Sequence, residues 1–226
     1  MRRVPFRLTA AVAAGLLLGS AATASAGTLD QQQTANDNQA AAPYLSNSVA
    51  QSFTAGLTGG LDQVDLMLAR SGTPTAYLTV EIRDLSGGVP GQAILAARSL
   101  PASAVANTTP QFIPVHFNAP APVVAGTQYA IVTYSANQVS NWILWYIKQA
   151  DVYPGGEVFT SVTPPSSSWN PDSGSDLAFK TYVVPTPAPT SAATTGQRAA
   201  ALKKCKKKHS ARARRKCRKK AQLLPA

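Results

Sequence analysis

Hydrophobic and polar residues alternate with a period of two over much of the chain after residue 49. In the segment LDQVDLMLAR, Val64, Leu66 and Leu68 point to one side, and the residues between them point to the other. The segment YLTVEIRD, residues 77–84, repeats this alternation. A period of two is typical of a strand that is buried on one face. The pattern therefore predicts a series of short strands, each with one apolar face.

Turn-forming residues divide these strands at regular intervals. Gly59-Gly60, the GGVPG segment at 87–91 and Gly155-Gly156 are examples. Eight or nine short strands with this spacing, and no convincing helical period, predict an all-β fold over residues 49–184: an antiparallel β-sandwich or jelly roll. Because this body has no cysteine, apolar packing alone has to hold it together.

The first 26 residues have the layout of a secretory signal peptide. Three arginines precede an apolar run over residues 8–18, and Ala24-Ser25-Ala26 fits a cleavage site. The apolar run is too short to span a bilayer, which needs about 20 residues. We therefore expect an extracellular protein that starts at Gly27 and has no membrane span.

Two further segments lack the apolar alternation. Residues 27–48 are rich in Gln and Asn, and we predict a loose polar leader that could end in a first edge strand. Residues 185–197 are rich in Pro, Thr, Ser and Ala and contain no charged residue. Such a composition cannot bury a core, and its prolines keep it extended, so it predicts a linker.

The net charge of +11 is concentrated in a C-terminal tail, residues 198–226. Residues 27–185 contain five basic and ten acidic side chains, which gives this part a net charge of −5. Residues 198–220 contain thirteen basic side chains and no acid. The high isoelectric point therefore comes from the tail and says nothing about a ligand of the body.

The repulsion within this tail would be relieved by an anionic partner. We predict a disordered or partly helical tail that binds an anionic cell-envelope polymer or polysaccharide, with an affinity that falls as salt rises. No aromatic residue is interleaved with the bases and no DNA-reading motif is present, so nucleic acid is expected only as a non-specific partner. A tail that only confers solubility is the alternative. The side chains predicted to bind the polymer are Lys203, Lys204, Lys206, Lys207, Lys208, Arg212, Arg214, Arg215, Lys216, Arg218, Lys219 and Lys220.

Both cysteines, Cys205 and Cys217, lie in the tail. On one straight helix they would be about 18 Å apart, so a bond between them requires a chain reversal near His209-Ser210. An oxidising compartment would permit this disulfide. We predict a disulfide-closed basic hairpin. Pairing between two chains stays open, and zinc binding by the cysteines and His209 is disfavoured because only three ligands are present among many cations.

Aromatic residues give a lead to a ligand of the body. In NWILWYIKQADVY, Ile143, Trp145 and Ile147 share one face, and Trp142, Leu144 and Tyr146 share the other. Flat aromatic rings on a sheet face stack on sugar rings. A strand buried on both faces is the alternative interpretation. The residues predicted to bind a glycan are Trp142, Tyr146, Tyr153 and Trp169.

Motifs of nucleophilic or zinc-dependent catalysis do not occur in the sequence. His116, between Val115 and Phe117, is expected to face solvent from a strand. A glycoside hydrolase that uses two body carboxylates remains an alternative, since no motif marks such pairs. The oxygen-rich loop WNPDSGSD could hold calcium, but an ordinary Asx turn explains it better, so no cofactor and no metal are predicted. The free candidate acids are Glu81, Asp84, Glu157 and Asp172.

Several strand and turn segments resemble a known class of exported domain. These are AQSFTAGLTGGLDQVDLML, LTVEIRDLSGGVPGQAILA, IPVHFNAPAPVVAGTQYAIV and DLAFKTYVV. Over residues 49–184 the chain resembles bacterial secreted β-sandwich domains of the choice-of-anchor type, which look like galactose-binding jelly rolls. The resemblance implies an extracellular, non-catalytic role and supplies no site residues. The chain departs from that class in having no sorting motif followed by a hydrophobic C-terminal helix, so any attachment would fall to the basic tail.

Together these features predict a secreted, non-catalytic cell-surface or carbohydrate-binding module that its basic tail holds to anionic envelope polymers. The alternatives are a secreted glycan-active hydrolase and a nucleic-acid- or membrane-binding tail carried by the sandwich.

Overall fold

The computed structural model describes residues 27–45, 47–137, 140–162, 168–186 and 196–224. The predicted signal peptide, residues 1–26, and most of the predicted linker lie outside these residues.

The described part of the body is an antiparallel β-sandwich, as the sequence predicts. In the sheet that we call the front sheet, the long strand β4 has β7 on one edge, and its other edge pairs first with β13 and then with β9. β1 extends the sheet beyond β13, and β2 and β12 pair with β9. The front-sheet strands are β1 (Thr28–Gln33), β2 (Gln39–Ala41), β4 (Gly59–Ser71), β7 (Gln111–Val123), β9 (Trp142–Lys148), β12 (Asp176–Leu177) and β13 (Phe179–Pro185).

The second sheet, which we call the back sheet, has the strand order β11-β10-β3-β8-β5-β6. A single 3-10 turn at Ala102–Ala104 follows β6. The back-sheet strands are β3 (Ser48–Thr54), β5 (Leu78–Ser86), β6 (Val89–Leu100), β8 (Gln128–Ser135), β10 (Val158–Ser161) and β11 (Asn170–Asp172).

The core lies between the two sheets and follows the alternation read from the sequence. Leu66 of β4 and Ile82 of β5 point inward and are fully buried. Trp145 fills the centre, and its indole N–H donates to the carbonyl oxygen of Ala178 at 2.8 Å. Since each buried aliphatic or aromatic side chain contributes about 1.5–3 kcal/mol, this packing can hold the body without a disulfide.

The polar leader contributes two strands to the front sheet. β1 pairs antiparallel with β13 along its length, and Gln33 at its end is 5% exposed. The side-chain amide of Gln33 donates to the carbonyl oxygen of Asp176 at 3.1 Å. Hydrogen bonds to the edge of the sheet therefore order a segment whose composition gives no apolar signal.

The outer face of the back sheet buries an ion pair. Arg83 and Glu81 are 1% and 3% exposed, and the Arg83 Nη2 to Glu81 Oε2 distance is 2.6 Å. The Tyr134 hydroxyl donates to Glu81 Oε1 at 2.8 Å, and Arg83 also donates to the carbonyl oxygen of Gly91 at 3.3 Å. A small apolar cluster lies on the same sheet face. Its buried members are Ala50, Ala130, Val132, Phe159 and Trp169.

We predict that Glu81 has a structural role that depends on Arg83. Glu81→Gln should destabilise the sandwich by about 3–5 kcal/mol, because it leaves a buried guanidinium without its counterion. The double variant Glu81→Leu/Arg83→Met, which removes both charges, should recover most of this loss. Urea unfolding followed by tryptophan fluorescence measures both. A double variant that is less stable than Glu81→Gln would contradict the ion-pair role.

Candidate functional site: the basic hairpin and the front-sheet face

The basic tail folds into a helical hairpin. Helix α1 spans Gln197–Lys206 and helix α2 spans Ala211–Gln222, with the reversal between them at residues 207–210. A disulfide joins Cys205 to Cys217 across a Cα–Cα distance of 5.5 Å. The predicted disulfide and the predicted place of the reversal are therefore confirmed. Since both sulfurs are in this bond, they are not available as zinc ligands.

Local interactions favour the start of helix α2 and the ends of both helices. The Ser210 side chain accepts a hydrogen bond from the backbone N–H of Ala213 at 3.2 Å, which caps α2. Lysines in the last turns of both helices lie near the negative end of the helix dipole. Arg214 donates to the carbonyl oxygen of Lys208 at 2.8 Å, so α2 is also tied to the reversal.

The interior of the hairpin is small. Cys205 is fully buried and Ala221 is 2% exposed, while Leu223 is 87% exposed. Arg198 at the start of α1 donates to the carbonyl oxygen of Leu224 at 2.9 Å, which closes the open end. Helices of this length are marginal alone, and the apolar area here is slight. The disulfide is therefore the principal constraint on the hairpin.

The hairpin concentrates positive charge on its surface. All twelve basic side chains predicted from the sequence to bind a polymer are exposed, and residues 196–224 contain no acid. None of them forms an ion pair within the described part of the chain. The hairpin therefore presents dense positive charge to solvent, a surface that attracts anions.

Two of the four predicted glycan-binding aromatics lie on the outer face of the front sheet. Trp142 and Tyr146 project from β9 on the side opposite Ile143 and Trp145, and both are half-buried. The Trp142 ring packs against Tyr44 with ring centroids 5.8 Å apart. Four residues of strand separate the two side chains by about 13 Å.

The other two predicted aromatics are inside the protein. Tyr153 is 9% exposed, meets Phe179 edge-on with centroids 5.2 Å apart, and donates from its hydroxyl to Gln31 Oε1 at 3.0 Å. Burial raises the pKa of the Tyr153 hydroxyl to about 12. Trp169 is 8% exposed within the apolar cluster outside the back sheet. Both side chains serve packing in this structure.

The outer face of the front sheet has further members that the sequence analysis missed. The Lys180 ammonium lies 4.3 Å from the centre of the Phe112 ring. The Tyr182 hydroxyl donates to Asp65 Oδ2 at 2.9 Å, and the hydroxyl pKa is raised by burial and by this carboxylate. The alternation of β13, which buries Phe179, could have placed Lys180 and Tyr182 on this face.

His116 is exposed on the same face of β7, as predicted. Its register partner on β4 is Gln63, whose amide donates to Asp65 Oδ1 at 2.6 Å. The face therefore combines half-buried aromatic rings with hydrogen-bonding groups.

The candidate body acids have structural partners in most cases. Besides Glu81, Asp84 accepts from the backbone N–H of Ala93 at 3.2 Å, and Asp172 accepts from Gly174 at 3.0 Å in an Asx turn. Glu157 is exposed.

Asp176, in the same oxygen-rich loop, points into the protein and is 1% exposed. It accepts bonds from Gln51 and from the backbone N–H groups of Val152 and Tyr153. Burial raises the pKa of the Asp176 carboxyl, and these three hydrogen bonds oppose that rise. The carboxylate therefore holds strand β12 and the loop after β9 together.

In the described ranges, His, Cys, Asp and Glu side chains form no group of three or more that could hold a metal ion. A search for membrane-spanning helices in the same residues finds none of sufficient length and apolarity.

The fold and the hairpin define a β-sandwich protein with a disulfide-closed cationic appendage. No protein-family model matches the chain, and no curated protein matches its sequence. The resemblance to choice-of-anchor domains therefore remains an expectation from the sequence.

We predict that the hairpin depends on its disulfide. The double variant Cys205→Ser/Cys217→Ser should lose most of the helical far-ultraviolet circular dichroism signal, because closing a loop of this size contributes about 3 kcal/mol. The matched control Ser210→Ala removes one cap, costs about 1 kcal/mol and should keep most of the signal. Full helicity in the double variant would show that the helices hold without the bond.

Proposed function

We propose that this protein is an exported, non-catalytic surface module that its basic hairpin holds to an anionic polymer outside the cell. The observation that carries the proposal is the folded hairpin, in which a disulfide holds twelve exposed cationic side chains together with no acid among them. The signal-peptide pattern at the N-terminus supports export. The structural partners of most body acids support a non-catalytic role.

Binding would be driven by the release of counterions from the polymer. Each contact between a Lys or Arg and an anionic group releases such ions, so the logarithm of affinity falls linearly with the logarithm of salt concentration. The disulfide restricts the tail before binding, which lowers the entropy lost when the polymer is engaged. A compact hairpin therefore suits this task better than an unrestrained basic segment.

We predict that removal of residues 197–226 abolishes salt-sensitive attachment. The purified full-length protein should sediment with isolated bacterial envelopes at about 50 mM salt and lose at least about a thousandfold in affinity by about 200 mM. The truncated protein should stay in the supernatant at both concentrations. A thermal melt confirms that the sandwich is folded in each. Equal sedimentation of the two proteins would contradict the proposal.

The second candidate function is glycan binding by the front-sheet face. It rests on the half-buried rings of Trp142 and Tyr146, with Leu144 between them on β9. Aromatic rings provide the apolar surface on which sugar rings stack, and Lys180 on the same sheet face offers a polar partner for hydroxyl groups. If the protein binds the envelope through both this site and the hairpin, its apparent affinity exceeds that of either site alone. The reason is that the second contact forms within a molecule that is already bound.

We predict that Trp142→Ala/Tyr146→Ala abolishes retention of the protein on immobilised polysaccharide. Both side chains are partly exposed, so the sandwich should remain folded, which chemical unfolding checks. Tyr77→Ala is the matched control, because Tyr77 is an aromatic residue that is 60% exposed outside this face. Retention that is unchanged in the double variant, or lost equally in the control, would reject the face as the binding surface.

A further inference from the structure

Lysine and arginine are unevenly distributed within the hairpin: α1 and the reversal carry five lysines and one arginine, and α2 carries four arginines and three lysines. Five of the lysines lie in the last turns of α1 and in the reversal. Two arginines hold the hairpin itself, since Arg198 and Arg214 donate to backbone carbonyl oxygens. The remaining three arginines lie on α2. The lysine cluster is Lys203, Lys204, Lys206, Lys207 and Lys208.

Three of the four α2 arginines lie on the outer face of the helix or at its edge. At 100° per residue, Arg212, Arg215 and Lys219 fall within about 40° of the point opposite Cys217, and Arg218 lies at the edge of this side, about 100° from Cys217. All four side chains border one shallow surface groove. Ala213 and Ala221 line the space between the helices, and Lys216 and Lys220 border it. The outer face therefore presents a row of cations about 10 Å long from residue 212 to residue 219.

We propose that this outer face of α2, which we call the arginine face, binds the backbone of a phosphodiester polymer without bases. This inference rests on the proposed attachment through the hairpin and specifies its ligand. All four side chains are exposed, and within the described residues none of them forms an ion pair or a side-chain hydrogen bond. The guanidinium groups at positions 212, 215 and 218 are therefore free to donate to a ligand.

Phosphate suits this face for a geometric reason. The planar guanidinium presents N–H donors as a fork that fits two phosphate oxygens, and it is more weakly hydrated than an ammonium group. Side chains three and four residues apart are neighbours on a helix, so successive phosphates of one chain meet successive arginines.

The composition of the hairpin argues against two other anionic chains. Residues 196–224 contain no Phe, Tyr or Trp. A sugar acid or a nucleobase would gain from stacking on such a ring, whereas a simple phosphodiester backbone would not. The composition therefore favours a chain of the glycerol phosphate type over both of these.

The decisive experiment compares two triple variants of the full-length protein with equal loss of charge. Arg212→Gln/Arg215→Gln/Lys219→Gln removes three of the four cations of the arginine face, and Lys206→Gln/Lys207→Gln/Lys208→Gln removes three of the five cations of the lysine cluster. Binding to poly(glycerol phosphate) is measured by titration at several salt concentrations. The arginine-face variant should lose at least about tenfold in affinity, and its salt slope should fall by about 2. The lysine variant should show less than half of this loss in affinity and less than half of this change in salt slope.

A third variant keeps the positive charges and removes the paired N–H donors of the guanidinium groups. Arg212→Lys/Arg215→Lys/Arg218→Lys should weaken binding several-fold with little change in the salt slope. Polygalacturonate and a single-stranded DNA oligomer of matched charge are the comparison ligands, and both should bind the wild-type protein more weakly. Tighter binding of DNA would assign the face to nucleic acid, and equal binding of polygalacturonate would remove the preference for phosphate; either result overturns the proposal.

Folding of each variant is checked by its helical circular dichroism and by mass spectrometry of the disulfide. If a variant does not fold, the test is made instead on the wild-type protein by modifying its arginines with phenylglyoxal. Bound polymer should then protect Arg212, Arg215 and Arg218 from modification. Equal losses in the two Gln variants, or no protection, would overturn the inference and leave attachment through the hairpin intact. A wild-type protein that binds no polyanion would instead overturn the proposed function itself.

Discussion

The disulfide between Cys205 and Cys217 is the constraint on which the C-terminal part of this protein depends. Thirteen basic side chains within 23 residues repel one another, and no acid lies among them to offset this repulsion. The helices are short, and the interior between them is made largely of alanines and the disulfide. A covalent bond across the reversal keeps these charges on one compact surface. The same bond makes the charge density of the hairpin a fixed property of the oxidised protein.

The body and the hairpin are stabilised by different interactions. The body buries its apolar residues between two sheets, and it even buries an ion pair, Arg83–Glu81, with a tyrosine hydroxyl that completes the hydrogen bonding. The hairpin buries little and exposes its cations. Packing therefore stabilises the body, and a covalent crosslink stabilises the hairpin. Of the two, the hairpin has the dense charge of one sign that produces a strong electric field.

Alternation along the strands predicted the sandwich and the inward direction of Leu66 and Ile82, because that signal is local. The spacing of the cysteines predicted the reversal in the tail for the same reason. The sequence shows little sign that β1 is an ordered strand. Hydrogen bonding to β13, and not apolar burial, holds this Gln-rich strand in the sheet. The burial of Tyr153, Trp169 and Glu81 depends on contacts between strands that are distant along the chain, which a single sequence does not reveal.

The candidate site was only partly predictable for related reasons. The basic residues of the tail could be named because their number and the absence of acids are visible in the sequence. The grouping of Arg212, Arg215 and Lys219 on one face follows from the exact bounds of α2, and the structural role of Arg198 and Arg214 follows from their contacts with carbonyl oxygens. On the front sheet, Phe112, Tyr182 and Trp142 share the outer face because of the order of their strands. The alternation within each strand does not specify this order.

The central claim is that cationic attraction outside the cell sets the location of this protein. Fractionation of the cells that produce it, with antibody detection of the native protein in each fraction, tests this claim most directly. The account predicts that the protein is found on the envelope and is released into the medium by strong salt without detergent. Native protein that stays in the cytosol, or that leaves the envelope only with detergent, would contradict the account.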